Sequence, residues 1–173
     1  MASHDDQAQL ADELVSRLEL LAEDRAALAR LRRCAGRPLS ECQRVYSLFY
    51  AVLPEVARGK PWLEEPCFLI ATLYALAPSK GGVGLGQALR LAADKSSAGA
   101  SGTRRRLDIL LDADAEELTF RLRQAVRWLA SQEIAIDWRQ LLLDRLQWGA
   151  PSRHVQKEWA RRFYGAEEAT VAQ

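Results

Sequence analysis

The sequence predicts an all-α protein, a bundle of about eight or nine helices arranged in two lobes. Apolar residues recur every three to four positions through nearly every ordered segment, and no run alternates with period two for long enough to make a sheet. Capping residues stand where helices should begin, and glycine or proline where they should end. A plain stretch of small residues, Lys95 to Gly102, divides the pattern.

The first helix is expected from Gln7 to Ala22, with Leu10, Leu14, Leu18 and Leu21 on one stripe and acids opposite. Asp24 is the expected N-cap of a second helix that turns Leu28 and Leu31 inward and ends at Gly36 before Pro38. Ser40 and Gln43 have capping-box spacing, which predicts a third helix through Val45, Leu48, Phe49 and Val52 to Pro54. Gly59, Pro61 and Pro66 then punctuate a connection that contains Trp62. The next helix, Cys67 to Ala77, is apolar all round, which places it at the centre of the N-terminal core.

The glycine-rich stretch Lys80 to Gly86 leads into a short helix through Leu89 and Leu91. The segment Lys95 to Gly102 follows as the expected flexible linker, so that 1–94 form an N-terminal helical lobe and 103–173 a C-terminal one. Beyond it Thr103 is an expected cap for a helix with Leu107, Leu110 and Leu111 inward. Asp114 with Glu117 starts a long helix through Leu118, Leu122, Val126 and Leu129. Asp137 with Gln140 starts another that holds Trp138, Leu141, Leu142 and Leu146 and closes at Gly149 and Pro151. The last helix is expected from Ser152 to Tyr164 with Val155, Trp159 and Phe163 buried, followed by a frayed tail.

Charge is unevenly spread along this chain. Twenty of its basic residues are arginines and four are lysines, yet the formal net charge is only +1. Residues 1–24 hold one arginine against seven acids, whereas 25–162 hold 23 basic groups against 14 acidic ones. An arginine-dominated body suits bidentate contacts to phosphate, so nucleic acid or an acidic protein is the partner to consider. The competing reading is that the arginines pair with Asp and Glu along solvated helix faces.

Other function classes find little support in the sequence. Cys34, Cys42 and Cys67 lack metal-ligand spacing and sit among apolar neighbours, which predicts buried, reduced thiols of a cytosolic protein. No apolar run reaches the length of a membrane span, and the acidic start at His4, Asp5 and Asp6 is unlike a secretory signal. His4 and His154 have no nucleophile or carboxylate partner fixed by the sequence, so no catalysis, metal or cofactor is expected. The Gly81 to Gly86 stretch follows a helix and lacks a closing Gly-Lys-Ser or Gly-Lys-Thr, so it reads as a flexible connector and not as a phosphate loop. Trp138, Trp148 and Trp159 fall on the leucine stripes, which favours core packing over base stacking.

The arginines cluster. Arg104, Arg105 and Arg106 are expected at a helix N-terminus, against the helix dipole. Arg123 and Arg127 share a face of the next helix while Arg121 points off it, and Arg30, Arg32 and Arg33 form a matching patch in the other lobe. On the last helix Arg153, Lys157 and Arg161 make a stripe, and toward its end Arg161 and Arg162 suit the dipole.

Several segments together resemble a known family. They are Asp24-Arg25-Ala26-Ala27-Leu28-Ala29-Arg30-Leu31-Arg32-Arg33, Gly84-Leu85-Gly86-Gln87-Ala88-Leu89-Arg90 and Thr103-Arg104-Arg105-Arg106-Leu107-Asp108-Ile109-Leu110-Leu111. Ile136-Asp137-Trp138-Arg139-Gln140-Leu141-Leu142 with Trp148, and Trp159-Ala160-Arg161-Arg162-Phe163-Tyr164, complete the set. In order and spacing, over residues 14–164, the chain resembles the CasB family, the small subunit of the type I-E CRISPR Cascade complex. The resemblance implies a non-catalytic, cytoplasmic, all-α subunit of a crRNA-guided surveillance complex, sitting as a pair and helping to hold the R-loop through basic residues. Its implied partners are CasA, CasC, CasD and CasE, a second copy of itself, crRNA and target DNA, with no membrane and no small-molecule substrate. Carried onto this sequence, the family's basic surface falls on Arg32, Arg33, Arg104, Arg105, Arg106, Arg123, Arg127 and Arg139, to which the residue pattern adds Arg30. The alternative is a purely structural helical adaptor whose arginines bind acidic protein partners.

Overall fold

The computed structural model describes residues 3–95 and 99–171, with side chains as far as Gly165. Among these residues it contains nine α-helices and no strand, as the all-α pattern predicts. Helix α1 (His4–Leu21) is fixed by a capping box in which Ser3 Oγ accepts from the Asp6 amide and the Asp6 carboxylate accepts from the Ser3 amide. It buries Leu10, Leu14 and Leu18 completely, and each such leucine would cost about 2–5 kcal/mol to truncate to alanine. Helix α2 (Arg25–Arg32) starts where Asp24 accepts from the Ala27 amide and turns Leu28 and Leu31 inward.

The expected third helix is shorter than its spacing suggests. Two 3-10 turns, Leu39–Glu41 and Gln43–Val45, precede α3 (Tyr46–Val52). No capping box forms, because the Gln43 side chain donates to the Ser40 carbonyl at 2.8 Å. Conversely α4 (Pro61–Leu76) begins before the expected Cys67. Pro61 at its first position needs no hydrogen-bond partner for the N–H it lacks, and Pro66 is carried inside the helix. Nearly all of α4 from Pro66 to Ala75 is buried, which makes it the central post of the molecule.

The glycine-rich segment is a seam, not a free connector. Val83 forms a parallel bridge with Ile136: its N–H donates to the Ala135 carbonyl at 3.2 Å and its carbonyl accepts from the Asp137 amide at 2.9 Å. Gly82 lies at φ +127°, and a Cβ there would stand 2.6 Å from the Ile136 carbonyl carbon, so only glycine permits the approach. Helix α5 (Leu85–Lys95) then crosses α9 (His154–Val171) so closely that a Cβ on Gly86 would meet the Trp159 carbonyl oxygen at 2.5 Å.

Of the expected linker, Lys95 is the last residue of α5, residues 96–98 lie outside the described residues, and 100–102 already belong to α6 (Ala100–Asp112). Thr103 is therefore inside the helix instead of capping it, with its amide and its hydroxyl both donating to the Gly99 carbonyl at 2.8 Å. Helix α7 (Ala115–Ser131) is capped by Asp114 and α8 (Trp138–Leu146) by Asp137, both at the expected residues. Helix α1 packs on α8, α4 on α2, α7 and α8, and α6 on α5 and α7. The buried side chains form one cluster that draws on both sides of the 95–102 segment.

Trp138, Trp148 and Trp159 are core residues, as their periodicity predicts. Each indole N–H has a partner: Ser79 Oγ at 3.1 Å, the Ala113 carbonyl at 2.9 Å and Asp144 Oδ2 at 2.7 Å. Burial pushes the Asp144 carboxyl up from its usual range, while hydrogen bonds from Gln140 and Trp159 oppose that rise.

Candidate nucleic-acid interface

Arg30, Arg32 and Arg33 occupy the C-terminal end of α2, where cations complement the helix dipole, and all three are exposed. The Arg30 guanidinium donates to the Arg44 carbonyl at 2.5 Å. Arg32 and Arg33 have no side-chain partner among the described residues. Gly36 follows at φ +80°, and the stem of Arg123 from α7 lies over it, with Cδ only 2.7 Å from where a Cβ would be. This contact sets α7 against the end of α2. The Arg123 Nε is buried without a hydrogen-bond partner, so the side chain is held mainly by packing of its stem.

The opposite flank of α7 meets α6. Trp128 is half-buried there, and the Arg106 guanidinium carbon lies 4.3 Å from the centre of its ring system. A guanidinium stacked in this way keeps the N–H donors at its edge available to a phosphate. Arg104, on the other side of α6, stands 5.7 Å over the ring of Tyr164 from α9, and Arg105 is exposed between them. Because α6 starts at Ala100, this triplet sits on its second turn and not at its N-terminus, which weakens the expected conflict with the helix dipole. Arg127 is exposed on α7 between these two flanks.

Helix α7 thus borders both arginine clusters. Arg139 is used differently, in an ion pair with Asp12 at the seam of α8 and α1. The reading that arginines pair along helix faces holds elsewhere: Arg17 with Glu13, Arg37 with Glu41, Arg58 with Glu55, Arg90 with Asp94, and Arg161 and Arg162 with Glu158. Arg30, Arg32, Arg33, Arg105, Arg106, Arg123 and Arg127, in contrast, have no carboxylate partner among the described residues. Sequence reasoning missed Trp128 and Tyr164 as supports, because each pairs with an arginine on a different helix.

The remaining reactive groups are quiet. Cys34, Cys42 and Cys67 are buried and free. Burial pushes the Cys67 thiol up to about 12; burial and then the neighbouring Cys34 do the same to Cys42. His154 is engaged by Ser152 Oγ at 3.0 Å and Gln147 Oε1 at 2.6 Å. Among the described residues no group of His, Cys, Asp and Glu is placed to hold a metal ion, and no helix is long and apolar enough to cross a membrane.

The family model for CRISPR-associated protein Cse2 matches residues 27–164. A Cse2 protein of Thermus thermophilus is 39% identical over 144 residues, covering 82% of this chain and 80% of the relative. A crystal structure of a Cse2-family protein from the same organism superposes with a TM-score of 0.74 at 34% identity, covering 90% of this chain and 97% of the other. A chain of a CRISPR RNA-guided surveillance complex superposes with a TM-score of 0.79 at 26% identity, covering 96% of this chain and 98% of that one. The helices, their order and the sequence that builds them place this chain in the Cse2 family, which structural neighbours also call CasB.

Proposed function

We propose that this protein is a non-catalytic, cytoplasmic small subunit of a crRNA-guided Cascade complex, and that it holds nucleic-acid strands by their backbone phosphates. Its partners would be CasA, CasC, CasD and CasE, a second copy of itself, crRNA and target DNA, and its task the stabilisation of the R-loop. The observation that carries this reading is the position of α7. It lies with Arg123 against the turn after Arg32 and Arg33, with Trp128 under Arg106, and with Arg127 exposed between, so one surface can follow a strand from cluster to cluster. The contacts are with backbone phosphate, because the groups this surface offers are guanidiniums, which suit phosphate oxygens of any sequence. Arg139, held by Asp12, contributes to this surface only if that pair opens.

Binding of a fluorescent single-stranded oligonucleotide, measured by anisotropy across a salt series, tests the proposal. Affinity should fall as salt rises, with a slope of about 0.7 per phosphate contact. A flat response would overturn it. The adaptor reading draws on two exposed aromatic side chains, Trp62 at 65% and Phe120 at 48% exposure, which suit a protein partner. Charge reversal at Arg104, Arg105 and Arg106 separates the two. It should spare assembly and weaken strand retention under the proposal, and disrupt assembly under the adaptor reading.

A further inference from the structure

The chain after α2 doubles back on that helix. Gly36 turns it, Pro38 and the two 3-10 turns carry it past the last helical turn, and the result is a cleft of about 330 Å³. Arg30 and Arg33 from the end of α2 and Arg37 and Arg44 from the returning chain line it, with the buried Cys34 and Cys42 in its wall and Glu41 the only acid in the lining. Two guanidinium groups are engaged within the wall: Arg30 donates to the Arg44 carbonyl, and Arg37 pairs with Glu41 at 3.6 Å. Those of Arg33 and Arg44 have no partner among the described residues. Four guanidinium groups and one carboxylate leave a local excess of three positive charges around a concave space. The sequence places Arg37 just past the end of the α2 patch but gives no sign of Arg44, which only the reversal at Gly36 brings there.

We propose that this cleft is a binding site for a single phosphate group, gripped from several directions. Converging guanidinium groups offer more N–H donors than a carboxylate can accept, whereas a tetrahedral phosphate takes paired N–H bonds on different edges. The volume equals about ten waters, room for a phosphate or pyrophosphate with some hydration. Arg32, Arg105 and Arg127, on convex helix faces, each meet one phosphate edge at most; the cleft is a point of attachment. The phosphate can come from a nucleic-acid strand or from a free anion. The site does not depend on the strand-holding role proposed above, since its probe carries no nucleotide.

Titration of the full chain with pyrophosphate at low salt, followed by calorimetry, provides the test. Saturable binding is expected, weakened about tenfold or more by Arg33→Ala and by Arg44→Ala. Arg44→Lys, which keeps the charge and loses the fork, should fall between. Arg25→Ala, at the far end of α2 and outside the cleft, should bind as wild type, and circular dichroism should show all variants equally helical. Absence of saturable binding at millimolar pyrophosphate, or equal weakening by Arg25→Ala, would overturn the proposal even if strand binding persisted. Saturable, Arg44-dependent binding would sustain it even if the chain bound no oligonucleotide at all. Where both ligands bind, displacement of the oligonucleotide by pyrophosphate assigns the cleft to a strand phosphate, and retention assigns it to a free anion; either result keeps the site.

Discussion

Replacing Trp128 with leucine would separate the positioning of a charge from the charge itself. The Arg106 guanidinium rests 4.3 Å from that ring, and an exposed stack of this kind is worth about 0.5–1 kcal/mol. Without it Arg106 keeps its charge but returns to its full set of rotamers, and that ordering cost is recovered from binding. Affinity for single-stranded DNA at moderate salt should therefore fall roughly two- to fivefold, the factor equivalent to that energy at room temperature. The salt slope should stay as in wild type, because the number of phosphates neutralised is the same. Arg106→Ala should lose affinity and also about 0.7 units of slope. Trp128→Phe, which retains a ring, should recover most of the affinity. Anisotropy titrations at four or more salt concentrations measure both quantities. The reasoning is refuted if Trp128→Leu lowers the slope as Arg106→Ala does, or if its affinity equals wild type.

Alanines at Arg32 and Arg33 and alanines at Arg104 to Arg106 should weaken strand binding by similar factors, with melting unchanged, since exposed arginines add little stability; loss confined to the second set would place the strand wholly on α6. Gly86→Ala should destabilise the fold by about 1–3 kcal/mol, because its Cβ would meet the Trp159 backbone at 2.5 Å, and thermal melting at roughly 2–4 °C per kcal/mol reads the change. Cys67 keeps its proton in the fold to about 12 against an ordinary 9.0, so the unfolded chain releases the proton first. Urea midpoints should accordingly decline as pH rises above about 9, a decline that Cys67→Ser should reduce.

Caps and stripes made much of this fold readable in advance. Asp24, Asp114 and Asp137 bond amides two or three residues on, a local interaction that needs no knowledge of the rest of the chain. The tryptophan positions were readable for the same reason, being set by helical period. What escaped depends on contacts between distant segments. The Gly82 approach to Ile136 is invisible in a run of glycines, which on its own looks like slack chain. Ser40 and Gln43 have the spacing of a box, but the Gln43 side chain bonds the Ser40 carbonyl instead and the segment winds into two 3-10 turns. Among the arginines, sequence could find clusters on one helix; it could not see that Asp12 holds Arg139 or that Trp128 lies beneath Arg106.

The paired backbone bonds of Val83 with Ala135 and Asp137 act as a clasp. They bring together two points more than fifty residues apart in the chain, so α5, α6 and α7 form an excursion whose root is pinned. A chain cut between α5 and α6 would leave two pieces that still share this clasp, the α5–α9 crossing and the core around α4. The loop-closure entropy that the clasp overcomes grows only slowly with the length of the excursion. New sequence inserted between α5 and α6 should therefore cost little stability and leave the root where it is, which makes that junction the natural place to graft a reporter or to open the protein into complementing halves.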